Sequence, residues 1–261
     1  MTLNTNDPVI LSAVRTPFGK RKGALRETRP DALLAGILQQ ALTRSAVPAG
    51  QIGDVIAGCV SQAGEQGANI ARQAVLLAGL PETVPGVSLN RMCGSSQYAV
   101  HAAAQAIAAG DLDFAIGCGV ESMSRVPMFL DLTLGRHDFT GFDNLHPRIL
   151  ERFAIPHQVE SAELIAERWQ LSRADCDAFA IESHRRAHAA REAGLHQEIA
   201  AVPGVDKDGN PLQLDHDEGV RAVIDQERMA GMQPVFRSME QGVVTAANAS
   251  QMSDGASAVV L

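Results

Sequence analysis

The sequence predicts an α/β fold: a sheet with helices on both faces, interrupted by an inserted, mainly helical segment. Three observations predict it. Short apolar runs alternate with helical patterns four times within residues 1–120. The runs lack polar alternation, the mark of strands covered on both faces. The texture turns polar and charged after Glu121 and becomes apolar again only at residues 256–261.

The elements follow in order. Residues 8–14 read as a buried strand that ends at Arg15, Thr16 and Pro17, and residues 20–29 are polar loop. A helix over 31–44 carries Leu33, Leu34, Ile37, Leu38 and Leu42 at near-helical spacing. Residues 53–60 form a second strand and 69–78 a helix, which Pro81 and Pro85 separate from a third strand at 87–89. The next helix spans 97–109 and stops at Gly110. Seven of the eleven residues from Ala99 to Ala109 are alanine, so this helix admits close neighbours all round. A fourth strand covers 114–119. Two further helices are expected at 160–169 and 173–191, with Ser172 as N-cap, and a turn at 206–211. The expected division is a core over 1–121, an insertion over 122–245 and a return to the core over 246–261.

Composition excludes several function classes. With 22 Lys and Arg against 30 Asp and Glu, the net charge is −8, so no summed positive field draws in nucleic-acid phosphates. Aromatics make up 4% of residues, too few for base-stacking platforms. No apolar stretch is long enough to span a bilayer, and residues 1–7 lack the features of a signal peptide. Cys59, Cys93, Cys118 and Cys176 are widely spaced without a CxxC, which fits free thiols and a cytoplasmic setting. The eight histidines form no metal signature; His184 and His188, four apart beside several arginines, read as a solvated helix face. No metal or prosthetic group is expected.

Cys93 carries the chemistry. It sits on the N-terminal lip of a helix, where unpaired backbone N–H groups favour a thiolate. Gly94 allows a substrate to approach the backbone, and the Cys93 N–H is a candidate donor to a developing oxyanion. On physics alone, a buried structural cysteine accounts for the same pattern.

The neighbouring residues add a resemblance. Asn90-Arg91-Met92-Cys93-Gly94-Ser95-Ser96 resembles the nucleophile segment of thiolases, the acetyl-CoA acetyltransferases and 3-ketoacyl-CoA thiolases. Five other stretches match in order. They are Arg15 to Lys20, Gly64 to Arg72, Gly117 to Ser124, the pair Ser161-Ala162-Glu163 with Asp177-Ala178-Phe179-Ala180, and Thr245 to Ser250 followed by Ser253-Asp254-Gly255-Ala256.

The resemblance implies a thiolase N-terminal domain, a mixed sheet with helices on both faces and an inserted, mainly helical lid, and an acyltransferase of fatty-acid-type metabolism. Cys93 would take the acyl group of a 3-ketoacyl-CoA and pass it to CoA; the reverse is a Claisen condensation. CoA is a substrate, not a cofactor. By position, His157 and Arg221 correspond to lid residues at the CoA site, and Ser250 to a residue on the pantetheine arm. A surface histidine and a solvated arginine are the plain alternatives for His157 and Arg221. A homodimer or homotetramer, joined through the third strand region, is the family expectation. Departures are Ala247 where glycine is usual, Val159-Glu160 in place of Gly-Ile, and Gln251, which resembles degradative members.

The family's Asn-Glu-Ala-Phe, Gly-His-Pro and Cys-x-Gly segments, which carry the activating histidine and second cysteine, do not occur in these residues. The reading is therefore of an N-terminal half whose catalytic C-terminal half is absent, inactive alone. A subunit of a split thiolase and a non-catalytic CoA-binding or scaffold module are the alternatives. An apolar patch on the outer face of the alanine-rich helix is also expected.

Overall fold

A computed structural model describes residues 7–133, 142 and 144–261. The signal-peptide expectation concerns residues 1–7, of which the first six lie outside the described residues. Two compact units emerge. The first comprises residues 1–131, 197–219 and 252–261, the second residues 132–196 and 220–251. The insertion expected over 122–245 is therefore itself interrupted: residues 122–131 and 197–219 belong with the core unit. Residues 246–251 belong with the second unit, so the return to the core begins at Met252 rather than at 246.

In the first unit the order is β1 (Ser12–Arg15), β2 (Gly19–Lys20), α1 (Pro30–Ser45), β3 (Asp54–Gly58), α2 (Ile70–Leu77), β4 (Gly86–Leu89), α3 (Ser95–Ala109) and β5 (Ala115–Ser122). A short α4 (Leu130–Thr133) closes this run. α5 (Pro147–Leu150), α6 (Gln158–Trp169) and α7 (Arg173–Glu192) follow in the second unit. The hairpin β6 (Val202–Val205) and β7 (Pro211–Leu214) returns to the first. α8 (Gln226–Ala230) lies in the second, and β8 (Ser253–Val260) completes the first.

The main sheet runs β1-β8-β5-β3-β4, with β2 also on β8. β3 pairs in parallel with β4 and β5, while β8 is antiparallel to both β1 and β5, so the sheet is mixed. β8 thus lies between the first and fifth strands, with Ala258 opposite both Val14 and Cys118.

Alternation along β5 explains the continuous apolar run. Ile116, Cys118 and Val120 face the larger core, built with Leu34, Ile37 and Leu38 of α1 and Ile70, Ala74 and Val75 of α2. Ala115 turns to the opposite face, where Ile56 and Leu261 meet Ala99, Ala103 and Ile107 of α3. On that face glycine stands where α3 comes closest. A Cβ on Gly58 would lie 2.2 Å from the Ser96 nitrogen, and one on Gly117 2.5 Å from Val100 Cα. Backbone thus packs on backbone, and the start of α3 is seated directly on β3 and β5.

The outer face of α3 differs from the expectation. Its exposed positions include Gln97, His101 and Gln105 together with alanines, and no large hydrophobic side chain of this helix is exposed. The first strand also begins later than expected, because residues 8–11 are exposed and only Ser12 onward forms the ladder. The hairpin β6–β7 is not evident from sequence, because Pro203, Gly204 and Pro211 disguise its strands. In the second unit Ser172 caps α7 as expected, in a reciprocal capping box with Asp175.

Candidate active site

The site is built on the turn that joins β4 to α3. Met92 sits in left-handed backbone conformation at φ 52°, which costs a non-glycine residue about 1 kcal/mol. Two side chains hold it there. Asn90 accepts the Met92 N–H through Oδ1 at 2.8 Å and donates through Nδ2 to the Val60 carbonyl at 3.0 Å. Ser95, 3% exposed, accepts the Arg91 N–H at 2.8 Å and donates its hydroxyl to the Met92 carbonyl. The Arg91 guanidinium lies over the Tyr98 ring, 4.5 Å from its centroid.

This turn presents Cys93 to solvent, two residues before the first residue of α3. A Cβ on Gly94 would meet nothing nearer than the Arg91 carbonyl at 3.5 Å, so the backbone beside the thiol is open to a ligand. The buried-cysteine alternative is excluded by this exposure.

The turn is tied to a buried polar hub. Glu121 accepts the Val60 and Ser61 N–H groups at 2.8 and 3.2 Å and the Gln66 side-chain amide at 2.8 Å. Gln66, 0% exposed, also donates to the Ser61 carbonyl and accepts the Ser122 N–H. Val60 therefore links Glu121 to Asn90. Asn90, Ser95, Gln66 and Glu121 all lie within the family-like motifs, yet the sequence assigns them no task. A signal was there for Asn90 and Ser95, since short polar side chains next to a turn compete for backbone groups.

The other cysteines behave differently. Burial pushes the Cys59 thiol up to about 12, helped by the nearby Glu121 carboxylate. Burial also pushes Cys118 up, with Asp54 adding to it, and Cys176 is raised by burial and then by Asp177 and Asp175. Both Cys59 and Cys118 are small hydrophobes of the core. Iodoacetamide added to the native protein is therefore expected to modify Cys93 first. Cys59 and Cys118 should react only after unfolding, as peptide mass spectrometry would show.

A second prediction concerns Ser95. Ser95→Ala leaves the Arg91 N–H of the strained turn without its partner and removes one of the two donors to the Met92 carbonyl, which keeps the Ser95 N–H at 3.0 Å. A fall in unfolding free energy of about 1–3 kcal/mol is expected, read from the urea midpoint.

The three other candidate residues lie in the second unit. His157 is the N-cap of α6: its Nδ1 accepts the Val159 N–H at 3.2 Å, and its ring meets Phe236 edge-on at 4.9 Å. Arg221 lines a cavity of about 380 Å³ with His184, Ile224, Asp225, Arg228 and Met229. His157 and Ser250 do not line that cavity, although Ala247 does. Ala247 has no positive φ, so the departure from glycine carries no strain.

Ser250 is exposed and follows a tightly held segment. Glu163, 1% exposed, accepts the Val243 and Val244 N–H groups, with Val244 at 2.9 Å. Asn248 accepts the Thr245 N–H and donates to Asp177 and the Val243 carbonyl, each at 2.8 Å. The Glu163 and Asp177 motif residues thus hold the approach to Ser250. Glu160, one of the departures, pairs with Arg237, which holds its carboxyl below the usual range. Among the described residues no cluster of His, Cys, Asp or Glu is arranged to hold a metal, and no helix is long and apolar enough to cross a membrane.

Residues 8–261 match the family model of the thiolase N-terminal domain. The chain belongs to the thiolase family. It is 40% identical over 262 residues to the 3-oxoadipyl-CoA/3-oxo-5,6-dehydrosuberyl-CoA thiolase of Escherichia coli, covering 97% of this chain and 65% of that protein. It is 43% identical to the steroid 3-ketoacyl-CoA thiolase of Mycobacterium tuberculosis, covering 97% of this chain and 61% of that one. The crystal structure of the Bacillus anthracis acetyl-CoA acetyltransferase superposes with a TM-score of 0.81 at 33% identity, over 97% of this chain and 64% of that one. The chain thus spans less than two thirds of the length of these relatives.

Proposed function

We propose that this chain supplies the nucleophile of a thiolase that transfers an acyl group between a 3-ketoacyl-CoA and CoA. The observation that carries the reading is the exposed Cys93 on a strained turn, held by Asn90 and Ser95 at the start of α3. The Cys93 sulfur attacks the keto carbon, and the bond between that carbon and the adjacent methylene breaks. Acetyl-CoA departs as its enolate, which takes up a proton, and an acyl-cysteine thioester remains. The thiol of free CoA then attacks the thioester and returns the cysteine. Removing and delivering those protons is work for groups outside residues 1–261, since the family's histidine and second cysteine segments do not occur here. Arg221 and Ser250 contribute to CoA binding in this reading, and His157 acts through its cap on α6. β4 stands at the sheet edge with Val87 exposed, which supports pairing of two copies along it.

The test joins residues 1–261 to the C-terminal segment of the Escherichia coli relative and follows loss of 3-ketoacyl-CoA in the presence of CoA. Turnover that disappears on Cys93→Ala is the expected result. Turnover that survives it overturns the proposal.

A further inference from the structure

We propose that His184 is a positioning residue for CoA, holding the stretch that carries Arg221 against the cavity of the second unit. The inference rests on the reading of Arg221 as a CoA-binding residue and adds a part to it.

His184 lies on α7, half-buried. Its Nδ1 accepts the backbone N–H of Arg221 at 3.2 Å, across 37 residues of sequence. Both residues line the same cavity, together with Arg228 and Asp225. Residues 220–225 have no helix or strand of their own, so no ladder of backbone bonds fixes where Arg221 points. Asp225 is already engaged, because its carboxylate caps α8 by accepting the Arg228 N–H at 2.9 Å. The contact from His184 is therefore the bond that ties Arg221 itself to a long helix.

That bond defines the state of the ring. An Nδ1 that accepts requires the proton on Nε2, so His184 must be neutral. The surroundings favour this form: burial and then the Arg221 charge both lower its pKa. Arg228 and Asp225 line the same cavity, and His188 follows one turn later on α7. The solvated face expected for this pair of histidines is thus corrected at His184, which is a bonded acceptor.

An anionic ligand gains from a preset guanidinium because less ordering remains to be done on binding. Losing the bond frees Arg221, which weakens attraction to the phosphates of CoA and leaves pantetheine, which has none of the diphosphate, unaffected. One net hydrogen bond corresponds to roughly a 3- to 10-fold change in Kd.

The experiment measures CoA and pantetheine binding by residues 1–261 in four forms: wild type, His184→Ala, His184→Asn and Arg221→Ala. Circular dichroism checks the fold of each. His184→Ala is expected to weaken CoA by about 3- to 10-fold with no change for pantetheine. His184→Asn, whose Oδ1 replaces Nδ1 as acceptor, is expected to restore CoA affinity. In the wild type, nitrogen chemical shifts of His184 should show the Nε2–H tautomer at neutral pH. If the wild type does not bind CoA, or Arg221→Ala binds it as well as the wild type, the reading of Arg221 fails and the inference falls with it. If Arg221→Ala weakens CoA and His184→Ala does not, or if His184→Asn fails to restore binding, the inference alone is overturned.

Discussion

Residues 1–261 mixed with acetoacetyl-CoA and CoA are expected to show no appreciable thiolysis, whereas the same residues joined to a relative's C-terminal segment turn over. The physical reason lies in the proton transfers. Attack by Cys93 is helped by a base that takes the thiol proton, and departure of the acetyl-CoA enolate needs an acid. General acid and base groups each contribute roughly 10²–10⁴-fold. Neither segment that carries them in the family occurs in this sequence, and the first unit's histidines do not replace them. His101 lies exposed on α3, and His216 is paired with Asp215. In the joined protein, Cys93→Ala removes the proposed acyl acceptor itself. A loss on the order of 10⁴-fold or more in turnover is expected. Substantial turnover by residues 1–261 alone would show that another group of this chain moves the protons.

The largest expected effect on stability comes from Gly117→Val. A Cβ at this position would sit 2.5 Å from Val100 Cα and 2.7 Å from its nitrogen, both backbone atoms of α3. No rotamer change relieves such a clash, so helix and sheet must move apart. Overpacking of this kind costs about 3 kcal/mol, which corresponds to a fall in melting temperature of roughly 6–12 °C. The displaced element is the one that begins at the Cys93 turn, so the variant should also change the rate at which Cys93 is alkylated. Gly36 on α1 serves as the control, because a Cβ there would have no neighbouring atom within 4 Å. Gly36→Ala should leave both measurements near wild type. A Gly117→Val protein that melts with the wild type would refute the backbone-on-backbone packing.

The position of Gly117 within an apolar run also shows where the sequence suffices. The strands around 53–60, 87–89 and 114–119 are legible because apolar runs between glycines leave few other structures available. The helices α1, α3, α6 and α7 are legible from spacing and caps. Cys93 is legible because its position before a helix and its neighbours agree. What escapes is long-range. Pro and Gly hide the β6–β7 hairpin, and no local pattern reveals that residues 197–219 rejoin the core while residues 220–251 do not. His184 reads from its own helix as solvated, since its partner at Arg221 lies 37 positions away.

By itself, then, the sequence determined the fold class and the alternation of the core, and it singled out Cys93 as the nucleophile proposed here. These depend on short-range periodicity and on residue chemistry. Only the tertiary structure decided why Gly58 and Gly117 must be glycine, how Asn90 and Ser95 hold a strained turn, and which backbone groups Glu121, Glu163 and His184 meet. Each of those roles consists of meeting a backbone group or side chain brought near by folding, and such a meeting exists only once the elements are packed.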